Sequence, residues 1–228
     1  MDDKNTKEPL IELKGADIAG GDTSVLFDVN MSIMPGDFLY IVGKVGTGKT
    51  SIIKTIIAEN TPMKGSVKVC GYNIESIKPK EIPFLRRKVG VIFQDFQLLM
   101  DRSVWSNLEF VLKATGWKDK EAINKRISEV LTDVGMADKA HKMPHQLSGG
   151  EQQRIAIARS ILNSPDVILA DEPTGHLDTE TADEIMNLLA GINKRLGTAI
   201  IMVTHNLNIF DKYPGRAMLC TKGQCYEI

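Results

Sequence analysis

Residues 43–50 read Gly43-Lys44-Val45-Gly46-Thr47-Gly48-Lys49-Thr50 and fit the spacing G-x-x-x-x-G-K-[ST]. The stretch before them, Phe38-Leu39-Tyr40-Ile41-Val42, is apolar throughout, as a strand covered on both faces would be. After them, Lys49–Glu59 sets Ile52, Ile53, Ile56 and Ile57 on one helical face. A strand, a glycine loop and a helix in that order commit the chain to an α/β sheet with helices packed on it. They also build an anion site. The glycines let the backbone curl until several N–H groups point one way, and the helix end adds about half a positive charge there. Lys49 is placed to reach the β- and γ-phosphates of a nucleotide, and Thr50 to hold Mg²⁺, with Ser51 beside it in the first turn. With glycine at about 7% of residues, a chance match in such a chain is on the order of 1 in 100.

Strand-like runs recur at Val89–Phe93, Val167–Ala170, Thr198–Thr204 and Arg216–Cys220. Between them, residues from about 95 to 165 read as helices, with Ile123, Ile127, Val130, Leu131 and Val134 at helical spacing. Thr179–Leu196 reads as a further helix, capped by Asp178 or Thr179 and stopped by Gly197. The expectation is a single domain over 1–228. Its core is formed by about 10–92 and 166–228, its helical insertion by about 93–165, and residues 1–9 make a loose arm. Twenty-eight basic against 29 acidic residues leave a net charge of −1, which gives no general attraction to nucleic acid. Cys70, Cys220 and Cys225 read as reduced packing thiols. The start, MDDKNTKEP, has no apolar segment, and the longest uncharged run, Leu196 to Phe210, is interrupted by polar residues. A cytoplasmic chain is expected, with any membrane link made through a partner.

Two further stretches carry chemistry. Val167-Ile168-Leu169-Ala170-Asp171-Glu172 is a buried strand ending in two acids, whose side chains strand alternation would send to opposite sides. Asp171 suits Mg²⁺ ligation and Glu172 suits polarising a water that attacks the γ-phosphate. Leu147-Ser148-Gly149-Gly150-Glu151-Gln152-Gln153 places a natural N-cap, Ser148, before a helix carrying Ile155, Ile157, Ala158, Ile161 and Leu162. From spacing alone this is a capped helix after a loop, or a second anion site.

Taken together, these motifs resemble the ATP-binding-cassette (ABC) ATPases. LSGGEQQR at 147–154 is similar to that family's signature, and the full set follows in family order: the phosphate loop, Gln94 after Val91-Ile92-Phe93, the signature, VILADE, a loop ending at Asp178, and His205 in MVTH. The resemblance implies a P-loop fold with a parallel-sheet core, an antiparallel β subdomain and an inserted helical subdomain. It implies two cassettes packed head to tail as a homodimer, each ATP held between one phosphate loop and the other chain's Ser148, Gly149, Gly150 and Glu151, with Asp178 nearby. It assigns Gln94 to Mg²⁺ and the attacking water, and His205 to the γ-phosphate. His141, His145 and His176 have no such support, and His176 stands where relatives usually have Asn.

Within the family, fewer than about 100 residues separate the phosphate loop from the signature, without heptad arms, and one cassette fills the chain. SGGEQQRIAIARSILNSPDVILADEPTGHLD resembles the subgroup serving cell division, lipoprotein release and macrolide export, and Leu98-Leu99-Met100-Asp101-Arg102-Ser103-Val104 is most similar to its cell-division members. That implies an integral membrane partner docking near Gln94–Val104, with Phe96, Leu98, Leu99 and Met100 as exposed contacts. ABC cassettes usually stack adenine on an aromatic about 25 residues before the phosphate loop. That position falls near Ala19, and no aromatic lies between Ile18 and Thr23, so weak nucleotide affinity and poor ATP/GTP discrimination are expected.

Overall fold

The structure, a computed structural model, describes residues 8–21, 23–206 and 209–228; residues 1–7 of the expected arm lie outside them. The chain runs β1 (Ile11–Gly20), β2 (Thr23–Ile33), β3 (Phe38–Val42), α1 (Lys49–Ile56), β4 (Lys64–Val69), β5 (Tyr72–Asn73), α2 (Ile82–Lys88), β6 (Val89–Ile92), α3 (Val104–Ala114), α4 (Lys120–Asp133), α5 (Gly149–Ile161), β7 (Val167–Asp171), α6 (Thr179–Leu196), β8 (Ala199–Thr204), α7 (Ile209–Lys212), β9 (Arg216–Thr221) and β10 (Gln224–Glu227).

The five strands expected from the sequence, joined at one edge by β10, form one six-stranded sheet in the order β10-β9-β3-β8-β7-β6. All its pairings are parallel except β9 with β10, a hairpin. A second, antiparallel sheet has the order β2-β1-β4-β5. The period of two along the central strands decides what each face buries. Leu39, Ile41, Leu169, Ile201 and Val203 join a cluster with α1 and the antiparallel sheet. Tyr40, Val42, Ile168, Ala170, Ile200 and Met202 join one with α3, α4, α5 and α6. In that cluster Leu108, Ile127, Ile157 and Leu189 are all fully buried, each worth about 1.5–3 kcal/mol of transfer free energy.

The segment 93–165 is less uniformly helical than its composition suggests. Residues 93–103 form a loop, because polar groups there find a partner other than a helix ladder. Asn107 of α3 is buried, accepts from the Leu99 N–H at 2.8 Å, and donates to the carbonyls of Leu99, Arg102 and Ser103 at 3.0–3.1 Å. Ser103 then caps α3. One buried amide thus satisfies a loop that would otherwise strand its backbone groups away from water. Met100 and Leu99 are exposed as expected, but Leu98 is buried and Phe96 packs against the helical core. The exposed apolar contact surface expected at 96–100 is therefore reduced to Leu99 and Met100.

Candidate functional site

β3 ends at Val42, and the chain turns at Gly43 with φ of 153°. A Cβ there would lie 2.3 Å from the Cys220 carbonyl oxygen of β9, so only glycine fits. Gly48, also at positive φ, is the N-cap of α1 and offers no side-chain cap. The N–H groups of Lys49 and Thr50 are thereby left for an anion, while that of Ser51 donates to the Gly48 carbonyl at 3.0 Å. Lys49 is buried, and its Nζ donates to the carbonyls of Gly43 at 2.7 Å and Lys44 at 2.9 Å. Thr47 Oγ1 also donates to Lys44 O. The loop is held open by its own lysine.

The parallel sheet brings the other residues to the same end. Lys49, Thr50, Gln94, Asp171, Glu172 and His205 line a cleft of about 410 Å³ over the phosphate loop. Asp171 and Glu172 line it together, contrary to the strand alternation expected for them. The reason is local: Glu172 takes φ of +47°, while its N–H donates to Val203 O of β8. The chain leaves the strand at that point, and the second acid turns into the cleft with the first. Burial raises the Asp171 pKa above its ordinary value, opposed by a hydrogen bond with the Thr50 hydroxyl, and the neighbouring Glu172 charge raises it further. His205 Nδ1 lies 2.9 Å from Glu172 Oε1, and Gln94 Nε2 lies 3.3 Å from His176 Nε2.

Thr50, Asp171 and Gln94 offer hydroxyl, carboxylate and amide oxygen, donors that suit a hard divalent cation such as Mg²⁺. Among the described residues no group of three His, Cys, Asp or Glu side chains forms a metal cage. A cation here would therefore come with phosphate oxygens completing its shell. Val25 of β2 also lines the cleft, close to Gly48, and the sequence reading missed it. Ala19, the expected adenine position, is buried within β1 and pairs with Ser24. Register shifts between Ala16 and Ala19 separate spacing along the chain from position in space.

Ser148, Gly149, Gly150 and Glu151 stand apart from this cleft, at the start of α5. A capping box closes on itself: Glu151 N–H donates to Ser148 Oγ at 3.3 Å, and Ser148 N–H donates to Glu151 Oε2 at 2.9 Å. The Ser148 backbone donor, followed by Lys139 at 3.2 Å, holds the Glu151 carboxyl below the usual carboxylate range. Asp178 caps α6, accepting from the Thr181 N–H and hydroxyl. The Thr181 methyl in turn packs against Gly150. His141 and His145 are exposed and outside the cleft, and the three cysteines are free thiols.

A parallel sheet with a lysine-bearing glycine loop, two acids at the neighbouring strand end and a separate glycine-led helix start define an ABC-type ATPase. The chain belongs to the ABC transporter family, whose model matches residues 26–175. It is 47% identical over 195 residues to the cell division ATP-binding protein FtsE of Bacillus subtilis, covering 86% of this chain and 85% of that one. Its fold is similar to that of cbiO1 from Clostridium perfringens, part of the ABC transporter complex cbiONQ. That match has a TM-score of 0.87 and 30% identity, over 96% of this chain and 87% of that one. It is also similar to an ABC cassette solved as a post-hydrolysis dimer bound to ADP and Pi. There the TM-score is 0.81 and the identity 33%, over 94% and 95% of the two chains. Among the described residues no helix is long and apolar enough to cross a membrane.

Proposed function

We propose that this chain hydrolyses ATP as half of a head-to-tail homodimer. The dimer drives an FtsX-like integral membrane protein, at the cytoplasmic face of the plasma membrane, in cell division and the control of cell-wall hydrolysis. The observation that carries the dimer is the division of the site. The phosphate loop, the acids and His205 share one cleft, while Ser148–Glu151 form an exposed, capped helix start outside it. One chain therefore holds two incomplete halves, and a second copy turned head to tail supplies to each cleft the signature it lacks. The chain acts as one nucleotide-binding domain, with core 10–92 and 166–228 and the helical insertion 93–165.

Within each site, phosphates displace the Gly43 and Lys44 carbonyls as partners of Lys49. The backbone amides of residues 44–50 and Ser51 cradle them, and Ser148 and Gly150 of the second copy contact the γ-phosphate. Thr50 and Asp171, with Gln94 as a further donor, would hold a Mg²⁺ ion arriving with the nucleotide, which would neutralise charge building on the phosphate oxygens. Glu172 accepts hydrogen-bonding from the attacking water, and His205 steadies that carboxylate and meets the γ-phosphate. Contacts that exist only in the closed, ATP-bound dimer are the free energy available to move a membrane partner. Similarity to FtsE proteins supports the division reading, and Gln94–Val104 is the docking segment. A tagged pull-down from detergent-solubilised membranes, read by mass spectrometry, tests it. Recovery of a multispan FtsX-like protein is expected, and recovery of lipoprotein-release or export subunits instead would overturn the division assignment.

A further inference from the structure

A second, smaller crevice lies between α2, the β6 strand, α3 and α5, with a volume of about 200 Å³. That is below the roughly 300–1,000 Å³ of small-molecule pockets. It has room for one side chain but not for a nucleotide. Three arginines, Arg86, Arg87 and Arg159, stand in its wall with no acidic residue among its lining. Two of them are engaged: Arg86 Nε donates to Ile57 O at 3.0 Å, and Arg159 donates to the carbonyls of Phe96, at 2.8 Å, and Gln97. Arg87 differs. Its Nε is buried with no hydrogen-bond partner, and its guanidinium lies 4.9 Å from the ring centroid of the exposed Phe84. Gly116 leaves room for it, since a Cβ there would lie 3.1 Å from an Arg87 terminal nitrogen.

We infer that this crevice is a receptor for a carboxylate presented by the protein that docks on this face, with Arg87 as its primary ligand. The inference rests on the membrane-complex reading above and names the chemistry of the partner's contact. A planar guanidinium with a buried, unpartnered N–H is matched by a carboxylate, which takes two parallel hydrogen bonds from it. Nearby acids do not fill the role: Asp166 lies 4.0 Å from Lys88, and Asp95 acts on Arg159. The crevice is also joined to the nucleotide cleft. Arg159 ties its wall to the carbonyls of Phe96 and Gln97, both at left-handed φ, two and three residues beyond Gln94.

The test uses the full chain and membrane vesicles from source cells depleted of it. The Arg87→Lys variant is bound to the vesicles and treated with a water-soluble carbodiimide, which condenses an amine with a carboxylate into an amide with loss of water. Mass spectrometry is expected to find position 87 joined to an Asp or Glu of a membrane protein. Arg87→Glu is expected to sediment with the vesicles about 30-fold more weakly than wild type or worse, the scale for breaking a buried charge pair. Arg87→Gln is expected to be intermediate, and both should keep wild-type basal ATP hydrolysis, which establishes that they fold. Wild-type sedimentation of Arg87→Glu with no cross-link from position 87 would overturn the carboxylate receptor and leave the membrane reading standing. An equal loss on protein-free anionic vesicles would assign the crevice to lipid headgroups and overturn it. Failure of the wild-type chain itself to sediment would overturn both.

Discussion

His205 Nδ1 and Glu172 Oε1 stand 2.9 Å apart, linking the residue after β8 to the acid that follows β7. β8 and the residue after it thereby hold Glu172 at two points, its backbone through the N–H on the Val203 carbonyl and its carboxylate through the imidazole. With Glu172 as the group that polarises water, Glu172→Gln keeps shape and nucleotide contacts but removes the base. Phosphate release is expected to fall by roughly 10²–10⁴-fold, with MgATP affinity unchanged. Near-normal turnover in that variant would take Glu172 out of this role.

Lys49 is expected to act in binding rather than in the chemical step alone. Its ammonium now satisfies the Gly43 and Lys44 carbonyls, so Lys49→Ala both empties the phosphate contact and unties the loop. Titration calorimetry with MgATP should show a clear loss of affinity. An unchanged dissociation constant would contradict the phosphate-loop assignment.

Val25 occupies the cleft wall near Gly48, and a larger, flat side chain there is expected to meet the base of a bound nucleotide. Stacking one base on an aromatic contributes about 1–3 kcal/mol, or roughly 5- to 150-fold in affinity. Val25→Tyr is therefore expected to tighten ATP binding within that range, from a weak and poorly ATP-selective wild type. A submicromolar, ATP-selective constant for the unmodified chain would refute this.

The capping box of α5 makes stability respond to acid. Glu151 has its folded pKa held below the ordinary value by the Ser148 N–H and Lys139. The unfolded chain then binds the proton more readily, so this contribution is present above the ordinary carboxylate pKa and is lost as pH falls through the depressed one. Glu151→Gln keeps an acceptor for the Ser148 N–H and removes the charge facing Lys139. Thermal melts from neutral to acidic pH should show the variant less stable at neutral pH and converging on wild type in acid. Parallel curves would show that the charge contributes nothing.

Much of this molecule is written in local pattern. The apolar run before Gly43, the 43–50 spacing, the helix between Asp178 and Gly197 and the Ser148 cap were all legible in the sequence, because each depends on residues within a few positions of one another. Backbone dihedrals and helix ends obey the same local chemistry wherever they fall. What the sequence left open depends on register between distant segments. Glu172 joins Asp171 in one cleft only because φ of +47° and the Val203 carbonyl carry it off the strand. Shifts in the β1–β2 pairing leave Ala19 buried while Val25 lines the cleft. Leu98 turns inward because Asn107 ties down the loop around it. Spacing placed the signature beyond the phosphate loop in sequence. Only packing shows it outside that loop's cleft, since which surfaces face each other is set by long-range contacts that no local periodicity encodes.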